Sequence, residues 1–276
     1  MNKGQLYNAY NSAMIGVKTI SPETNLTDSQ CQDFQRDGYL KVSGLAAKEL
    51  QIRMLSSIQS SLAPAVSPLE YEADVHYPGA PESRISVGGD TPRRLLNAYA
   101  RDGVFREWAH TPQIVQTVKQ LIGSGDVLLT QNHHNCVMTK MPKFSSKTEW
   151  HQDIRYWNFS RPELVNVWLA LGDEHRDNGG MMFIPGSHAM NFERDRLDEN
   201  LFLRQDLPEN QTLLATVVEL ELQAGDVLFF HCRTFHAADA NKTDKPKYSV
   251  VLSYHAADNL AIEGTRSTRL DSIVID

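Results

Sequence analysis

Residues 165–171 read VNVWLAL, and their pattern indicates the class of fold. Its residues form two alternating sets, with Val165, Val167, Leu169 and Leu171 in one and Asn166, Trp168 and Ala170 in the other. A period of two residues is typical of a β-strand that packs one face against a core. The stretch therefore predicts a strand within an antiparallel sheet.

More strands are predicted on both sides of this stretch, each bounded by turn residues. The apolar runs lie at residues 39–42, 216–222, 227–230 and 248–254. Clusters of Asp, Asn and Gly, such as DNGG at 177–180 and AGD at 224–226, separate the later runs. From about residue 125 onward the chain therefore has the pattern of many short strands.

Helices are predicted before residue 125. The spacing of Thr27 and Gln30 fits a capping box, which predicts a short helix through Phe34 that Gly38 ends. Leu50, Met54, Leu55 and Ile58 have the spacing of one helix face, which predicts a second helix.

Two prolines predict two further helices after a long loop at residues 67–90, which is rich in Pro, Gly and Ser. Proline is favoured at the first position of a helix. Pro112 predicts a helix that Gly123 ends, and Pro92 predicts one that carries Arg93, Arg94, Leu95, Leu96 and Tyr99.

Helices followed by many short strands predict a mainly β protein, a β-sandwich or jelly roll with flanking helices. We expect an N-terminal arm at residues 1–24 and a single domain at residues 25–276. Within that domain, the helical flank is predicted at about 25–124 and the jelly-roll core at about 125–256.

Composition narrows the classes of function. The 276 residues are 41% hydrophobic and 22% charged, with a net charge of −7 and scattered basic residues, so nucleic acid is not expected as a ligand. No apolar run is long enough to span a membrane. Cys31, Cys136 and Cys232 share no metal-binding spacing, and a cytoplasmic protein with reduced thiols is expected.

The tetrapeptide WHQD at 150–153 predicts a metal site. His151 and Asp153 are two positions apart, so on an extended strand their side chains project from the same face. Two histidines and one carboxylate are the ligands of the iron(II) site of many oxygenases. The spacing leaves the third ligand open among several histidines: His188, His231 and His236. Of the adjacent pair His133 and His134, a strand would direct at most one towards the site.

Three motifs in order carry a resemblance to a known family: WHQD at 150–153, NGGMMFIPGSH at 178–188 and GDVLFFHCRTFH at 225–236. Together they resemble the phytanoyl-CoA dioxygenase family, which includes the ectoine hydroxylases. The resemblance spans roughly residues 25–255. It implies a double-stranded β-helix, the jelly roll shared with cupins, and an enzyme that uses iron(II) and 2-oxoglutarate.

The resemblance also assigns the metal ligands. His151 and Asp153 match the first two ligands of the family, and His236, followed five residues later by Asn241, matches the third. His231 is then expected beside the metal or the 2-oxoglutarate. His188 matches a turn of the family that does not bind metal.

The family holds the far carboxylate of 2-oxoglutarate with an Arg placed eleven residues after the third ligand, and this chain has Lys247 there. A lysine pairs with a carboxylate as a point charge, without the planar fork of a guanidinium. Ser249 shares the strand face of Lys247 and would add a hydroxyl donor, while Lys245 is a rival anchor. Gln131 and Asn135 resemble an amide pair that lines the ectoine hydroxylase pocket.

The implied reaction consumes dioxygen and 2-oxoglutarate, releases succinate and CO2, and hydroxylates a small molecule. Related halogenases have Ala or Gly in place of the carboxylate ligand, so Asp153 favours hydroxylation. Candidate residues for binding an anionic substrate lie after the ligand strand and after the long loop: Arg155, Tyr156, Trp157, Arg93 and Arg94.

Two other functions remain open on the sequence. One is a non-catalytic jelly-roll protein that binds a metal or a small molecule. The other is an oxygenase of the cupin type that does not use 2-oxoglutarate, in which Lys247 has a different role.

Overall fold

Two antiparallel sheets and a set of helices make up the computed structural model, which describes residues 25–75, 77 and 79–275. The predicted N-terminal arm at 1–24 lies outside the described residues. The helices are α1 Asp28–Asp37, α2 Lys48–Leu62, α3 Ala98–Arg101, α4 Gly103–Ala109, α5 Pro112–Ile122 and α6 Pro208–Leu214. None of these described helices is long and apolar enough to cross a membrane.

The strands are short, as the sequence predicts. They are β1 Tyr39–Val42, β2 Leu69–Tyr71, β3 Pro92–Leu96, β4 Val127–Leu129, β5 Asn135–Lys140, β6 Thr148–His151, β7 Leu164–Ala170, β8 Met181–Phe183, β9 Val218–Glu219, β10 Val227–His231, β11 His236–Ala238, β12 Lys247–Ala256 and β13 Ile273–Ile275.

The strands form a large sheet and a small sheet. The large sheet has the order β1-β10-β7-β12-β5-β3-β2, and β4 and β13 extend it beside β12. The small sheet has the order β6-β11-β8-β9. Neighbouring strands in both sheets are mostly distant in sequence, which is the crossover pattern of a jelly roll. The double-stranded β-helix implied by the resemblance is confirmed.

Strand β7 is buried on both faces, whereas the sequence predicted a strand with one packed face. Val165, Val167 and Leu169 belong to the core between the large sheet and the helices. Trp168 and Ala170 belong to a second core between the two sheets. The prediction was wrong because the second face of a central strand in a sandwich is covered by the other sheet.

The helices α1, α2 and α5 confirm three sequence predictions. Thr27 accepts a hydrogen bond from the backbone N–H of Gln30, and Gln30 accepts one from the backbone N–H of Thr27, so the capping box is formed. Gly38 and Gly123 end α1 and α5 in the left-handed conformation. These helices cover the outer face of the large sheet and bury their apolar side there.

The helix predicted at Pro92 is wrong, because residues 92–96 form strand β3. This strand pairs with β5, with Leu95 opposite Val137, and alternates between half-buried and buried residues. Proline is tolerated at the first position of a strand. The apolar spacing read as a helix face runs from the strand into the short helix α3, so long-range pairing determined the local structure.

Two further boundaries differ from the sequence predictions. The loop predicted at 67–90 contains strand β2, which pairs with β3. The strand predicted at 216–222 is limited to the two residues of β9.

Gly38 provides a stability test. A Cβ at this position would lie 2.4 Å from Nδ1 of His188 and 2.6 Å from Oγ1 of Thr234, whereas a Cβ at Gly123 has nothing within 4 Å. Both glycines have a positive φ. We expect Gly123→Ala to lower the free energy of unfolding by about 1–2 kcal/mol, the cost of a left-handed alanine, and Gly38→Ala to lower it by more. Urea denaturation measures both, and equal losses would contradict the close contact.

Candidate metal centre and cavity

The small sheet brings two histidines of the predicted site side by side. His151 ends β6 and His236 begins β11, and the two residues are paired directly across these antiparallel strands. Their ring centroids are 4.2 Å apart. Both side chains are buried, with 7% of each residue exposed.

Asp153 completes the group, although it does not lie on the strand. Strand β6 ends at His151, and Asp153 begins a single 3-10 turn that runs to Tyr156. Its Oδ1 atom lies 3.5 Å from Nε2 of His151 and 3.7 Å from Nε2 of His236. The sequence therefore identified residues whose side chains lie close together. The strand that was expected to carry both His151 and Asp153 ends at His151.

Backbone hydrogen bonds orient both imidazoles in the same way. Nδ1 of His151 bonds to the carbonyl oxygen of Glu149 at 2.8 Å, and Nδ1 of His236 bonds to that of Thr234 at 3.0 Å. A carbonyl oxygen can only accept a hydrogen bond, so each Nδ1 must carry the hydrogen, and each Nε2 then has a free lone pair. Each Nε2 faces Asp153.

Burial keeps the two rings neutral. It lowers the pKa of His151, and burial together with the neighbouring His151 ring lowers the pKa of His236 to about 3. Neutral imidazole is the form that binds a metal. At neutral pH neither ring has to lose a proton before it can act as a ligand.

Two residues outside the predicted ligand set hold Asp153 in place. Asn166 on β7 donates from Nδ2 to Oδ2 at 2.8 Å, and Nε2 of His134 lies 2.9 Å from Oδ1. Burial disfavours protonation of His134, but the carboxylate of Asp153 outweighs it and raises the pKa of His134 to about 9. In turn, although burial opposes this, the charge of His134 helps to hold the pKa of Asp153 well below its usual value.

The three residues fit a metal ion by their chemistry and spacing. The ligand atoms of His151, Asp153 and His236 all lie within 4.8 Å of one another. Two neutral imidazoles and one carboxylate on one side of a cavity are the donor set of the facial triad that binds iron(II). Hydrogen bonds to the remaining atoms of all three ligands provide the outer support that such sites need.

A cavity of about 230 Å³ opens over this group, between the two sheets. His151 and His236 line it from the small sheet, and Asp153 lines it from the turn after β6. Residues of the large sheet, and one of β8, line the rest of its wall, among them Met138, Lys140, Trp168, Met181, Phe230 and Lys247.

All five residues proposed for substrate binding line this cavity: Arg93, Arg94, Arg155, Tyr156 and Trp157. The two arginines of β3 are already paired with acids. Arg93 lies 3.5 Å from the buried carboxylate of Glu72, and Nε of Arg94 lies 2.6 Å from Glu70. They therefore offer an anionic ligand little net charge.

The residues after the metal ligands form the rim. Arg155 donates to the hydroxyl of Tyr77 at 3.1 Å and lies over the ring of Phe202 at 4.2 Å, with no carboxylate at ion-pair distance in the described residues. Trp157 stacks on His133, with ring centroids 4.8 Å apart. The rim therefore combines aromatic rings with the unpaired guanidinium of Arg155.

Lys247 and Ser249 face the cavity side of β12, but both are engaged by a residue that the sequence did not single out. The Nζ of Lys247 donates to Glu174 at 3.0 Å, and the hydroxyl of Ser249 donates to the same carboxylate at 2.6 Å. Trp168 also donates to Glu174 from its indole N–H. In sequence, Glu174 follows a strand in a polar turn, which is the usual pattern of a solvated acid.

Three other predicted positions lie away from the cavity wall. Gln131 donates to the carbonyl oxygen of Asp271, and Asn135 accepts from the backbone N–H of Tyr99. His231 accepts a hydrogen bond from the backbone N–H of Arg233, and its ring contacts His188. The structure does not bring these side chains close to His151, Asp153 and His236.

His133 and His134 both line the cavity, but only His134 bonds to a residue of the predicted metal site, Asp153. The prediction for this pair assumed a strand, but β5 begins only at Asn135 and the two histidines lie in a bend. Arg266, near the C-terminal end, also lines the cavity and was missed.

Comparison with known proteins gives one family match and several similar proteins. A sequence model of the family described as phytanoyl-CoA dioxygenase (PhyH) matches residues 34–249. An ectoine dioxygenase of Bordetella bronchiseptica is 23% identical over 252 residues, which cover 85% of this chain and 77% of the relative.

Solved structures show the same fold. SnoN, described as a non-heme alpha ketoglutarate dependent epimerase of nogalamycin biosynthesis, has 26% sequence identity and a TM-score of 0.67, covering 85% of this chain and 84% of its own. EctD from S. alaskensis, solved with 2-oxoglutarate and 5-hydroxyectoine, has 19% identity and a TM-score of 0.70, covering 88% and 80%. The similarity thus extends over most of each chain.

His231 serves as a matched control for His236, because the two lie five residues apart and face different surroundings. We expect His236→Ala to weaken iron(II) binding by at least about a hundredfold, since even the loss of an outer partner of a metal ligand costs 10–100-fold. His231→Ala should retain the affinity of the parent. Anaerobic titration with iron(II) measures both, and the opposite ranking would overturn the choice of His236.

Proposed function

Because the chain belongs to the phytanoyl-CoA dioxygenase family and is a 2-oxoglutarate-dependent dioxygenase with iron(II) and 2-oxoglutarate as its cofactors, we propose that it hydroxylates a small molecule. The observation that carries the proposal is the group of His151, Asp153 and His236 at one side of a cavity. We propose that these three residues hold the iron.

When bound, the two cofactors supply the activation of dioxygen, with succinate and CO2 as coproducts. The protein positions the cofactors and the substrate and keeps water away from the site. His151 and His236 are held neutral with Nε2 free, and Asp153 is held ionised, so the site needs no proton transfer before it binds a metal. The buried side chains of Phe183 and Phe230 pack against the ring of His236 and keep water from that ligand.

For 2-oxoglutarate, we propose that Lys247 attracts the far carboxylate. The support is its position at the start of β12, its burial and its place in the wall of the cavity that also holds the metal group. Ser249 and Glu174 fix the ammonium of Lys247 rather than leave it to rotate. A fixed cation loses less side-chain entropy when it binds an anion.

For the prime substrate, we propose a small molecule with an anionic or polar group that meets Arg155. The cavity volume of about 230 Å³ suits a small ligand or the reacting end of a longer one. Arg93 and Arg94 are neutralised by Glu72 and Glu70, which leaves Arg155 as the stronger candidate on the rim. The stacked rings at the rim suit an apolar body of the substrate.

A cytoplasmic location is part of the proposal. Cys31, Cys136 and Cys232 are free thiols in the structure, which suits a reducing compartment.

Epimerisation is a second candidate reaction, favoured by the similarity to SnoN at 26% identity. It leaves the oxidation state of the substrate unchanged, so the two electrons that hydroxylation takes from the substrate would have to come from an added reductant such as ascorbate. Hydroxylation adds one oxygen to the substrate, whereas epimerisation leaves its mass unchanged. The mass of the product therefore separates the two.

A screen of small carboxylates, amino acids and acyl esters should find a substrate that couples succinate release to a product heavier by one oxygen. The protein is loaded with iron(II) and supplied with 2-oxoglutarate and ascorbate under air, and product mass and succinate are measured together. His236→Ala should lose both signals, since it lacks a proposed ligand. A product of unchanged mass formed in step with succinate would replace hydroxylation by epimerisation.

Lys247→Ala should raise the 2-oxoglutarate concentration needed for half-maximal succinate release by about tenfold or more, because hydrogen bonds to charged groups are worth about 1.5–3 kcal/mol. Lys245→Ala, which removes an exposed lysine two residues away, is the control and should behave like the parent. Full activity at low 2-oxoglutarate in Lys247→Ala would refute the role of Lys247.

A further inference from the structure

A second buried lysine lies directly opposite Lys247. Strands β5 and β12 are antiparallel, and their register pairs Lys140 with Lys247. Residues that face each other across such a pair have Cβ atoms about 4.5–5.5 Å apart and share one face of the sheet. Only 7% of Lys140 and 5% of Lys247 is exposed, and both line the cavity over the metal group. Like charges in this relation repel each other unless an anion lies near them.

The surrounding chain fixes the path of the Lys140 side chain. Asn241 donates from its amide to the carbonyl oxygens of Lys140 and Lys245, which ties the end of β5 to the turn that precedes Lys247. Gly179 lies against the aliphatic part of Lys140, where a Cβ would approach it to 3.1 Å. The position of this lysine is therefore set by the fold.

Among the described residues, the ammonium of each lysine has two hydrogen-bond acceptors, so one of its N–H groups has no acceptor. Lysine has three N–H donors. Lys247 uses two on Glu174 and Ser249, and Lys140 uses two on the carbonyl oxygens of Ser146 and Asp239, at 2.8 Å each. Two adjacent lysines thus offer one donor each to a ligand in the cavity.

The charges in this part of the cavity do not balance. Arg93 is paired with Glu72, and Lys247 is paired with Glu174. Lys140 has carbonyl partners but no carboxylate at ion-pair distance in the described part of the chain. Burial, with the nearby charges of Arg93 and Lys247, lowers the pKa of Lys140 to about 7. A buried cation without an anion is costly, so one negative charge is missing here.

We propose that Lys140 and Lys247 bind the far carboxylate of 2-oxoglutarate together, each donating one N–H to one of its oxygens. This rests on the proposed function, in which Lys247 attracts that carboxylate. Two lysines on adjacent strands replace the two parallel donors of a guanidinium. Glu174 positions Lys247 and cancels its charge, and Lys140 supplies the net positive charge that a carboxylate requires.

The test compares 2-oxoglutarate with 2-oxopentanoate, which has the same five-carbon chain and 2-oxo acid end but no far carboxylate. Binding of each to the iron(II)-loaded protein is measured anaerobically by calorimetric titration, so no turnover is needed. The variants are Lys140→Met, Lys140→Gln and Lys247→Met, with the exposed Lys245→Met as the matched control. Thermal unfolding verifies that each variant is folded.

We expect Lys140→Met to weaken 2-oxoglutarate binding by about tenfold or more and to leave 2-oxopentanoate binding unchanged. Lys247→Met should do the same, and Lys245→Met should match the parent for both ligands. Lys140→Gln keeps N–H donors for the carbonyl oxygens on a slightly shorter side chain and removes the charge. It should weaken 2-oxoglutarate binding as well, and it decides the question if Lys140→Met does not fold.

Three outcomes would overturn the proposal. Parental 2-oxoglutarate affinity in both folded Lys140 variants would remove Lys140 from the subsite, with the proposed function intact. An equal loss for both ligands would indicate general damage to the cavity in place of a carboxylate contact. A parent protein that binds no 2-oxoglutarate would overturn this proposal together with the assignment of Lys247.

Discussion

Burial of strand β7 on both faces is the constraint on which the site depends. One set of alternating residues, including Val167 and Leu169, packs against the helices. The other set faces the small sheet, where Asn166 bonds to Asp153 and Trp168 bonds to Glu174. The alternation along β7 therefore places apolar side chains in the core on one face and polar side chains beside the candidate site on the other. A shift of one residue in the pairing of β7 would exchange the two sets and lose both functions.

The sequence predicted those parts of the fold that depend on local patterns. The capping box of Thr27 and Gln30, the helix ended by Gly123 and the strand around 227–230 have the structures that their patterns indicate. The pattern at 165–171 predicted a strand correctly, but not its burial on both faces. The segment at Pro92 does not, because its structure is set by pairing with β5, more than forty residues later. Local spacing contains no information about such a partner.

The residues of the candidate site show the same difference between local patterns and contacts distant in sequence. His151, Asp153 and His236 were chosen from motif spacing and resemblance, and they do lie together. His134, Asn166 and Glu174 were not, since each acquires its role from a contact with a residue distant in sequence, and its neighbours in sequence give no pattern. Gln131 and Asn135 were chosen by resemblance alone, and their amides bond to backbone groups away from the cavity. Motif spacing and resemblance together therefore pointed to the proposed ligands, but not to the residues that support them.

The backbone of Gly38, at the end of the first helix, has a consequence for how the protein is made. Its carbonyl oxygen accepts hydrogen bonds from the backbone N–H of His231 and from the hydroxyl of Thr234, two residues before His236. Strand β1, which follows Gly38, pairs with β10, which lies about 190 residues later in the chain. Contacts of such sequence separation have a high loop-closure cost and slow folding. During synthesis on the ribosome, His151, Asp153 and His236 therefore cannot come together until most of the chain has emerged, and until then β1 is an unpaired edge strand open to wrong pairing.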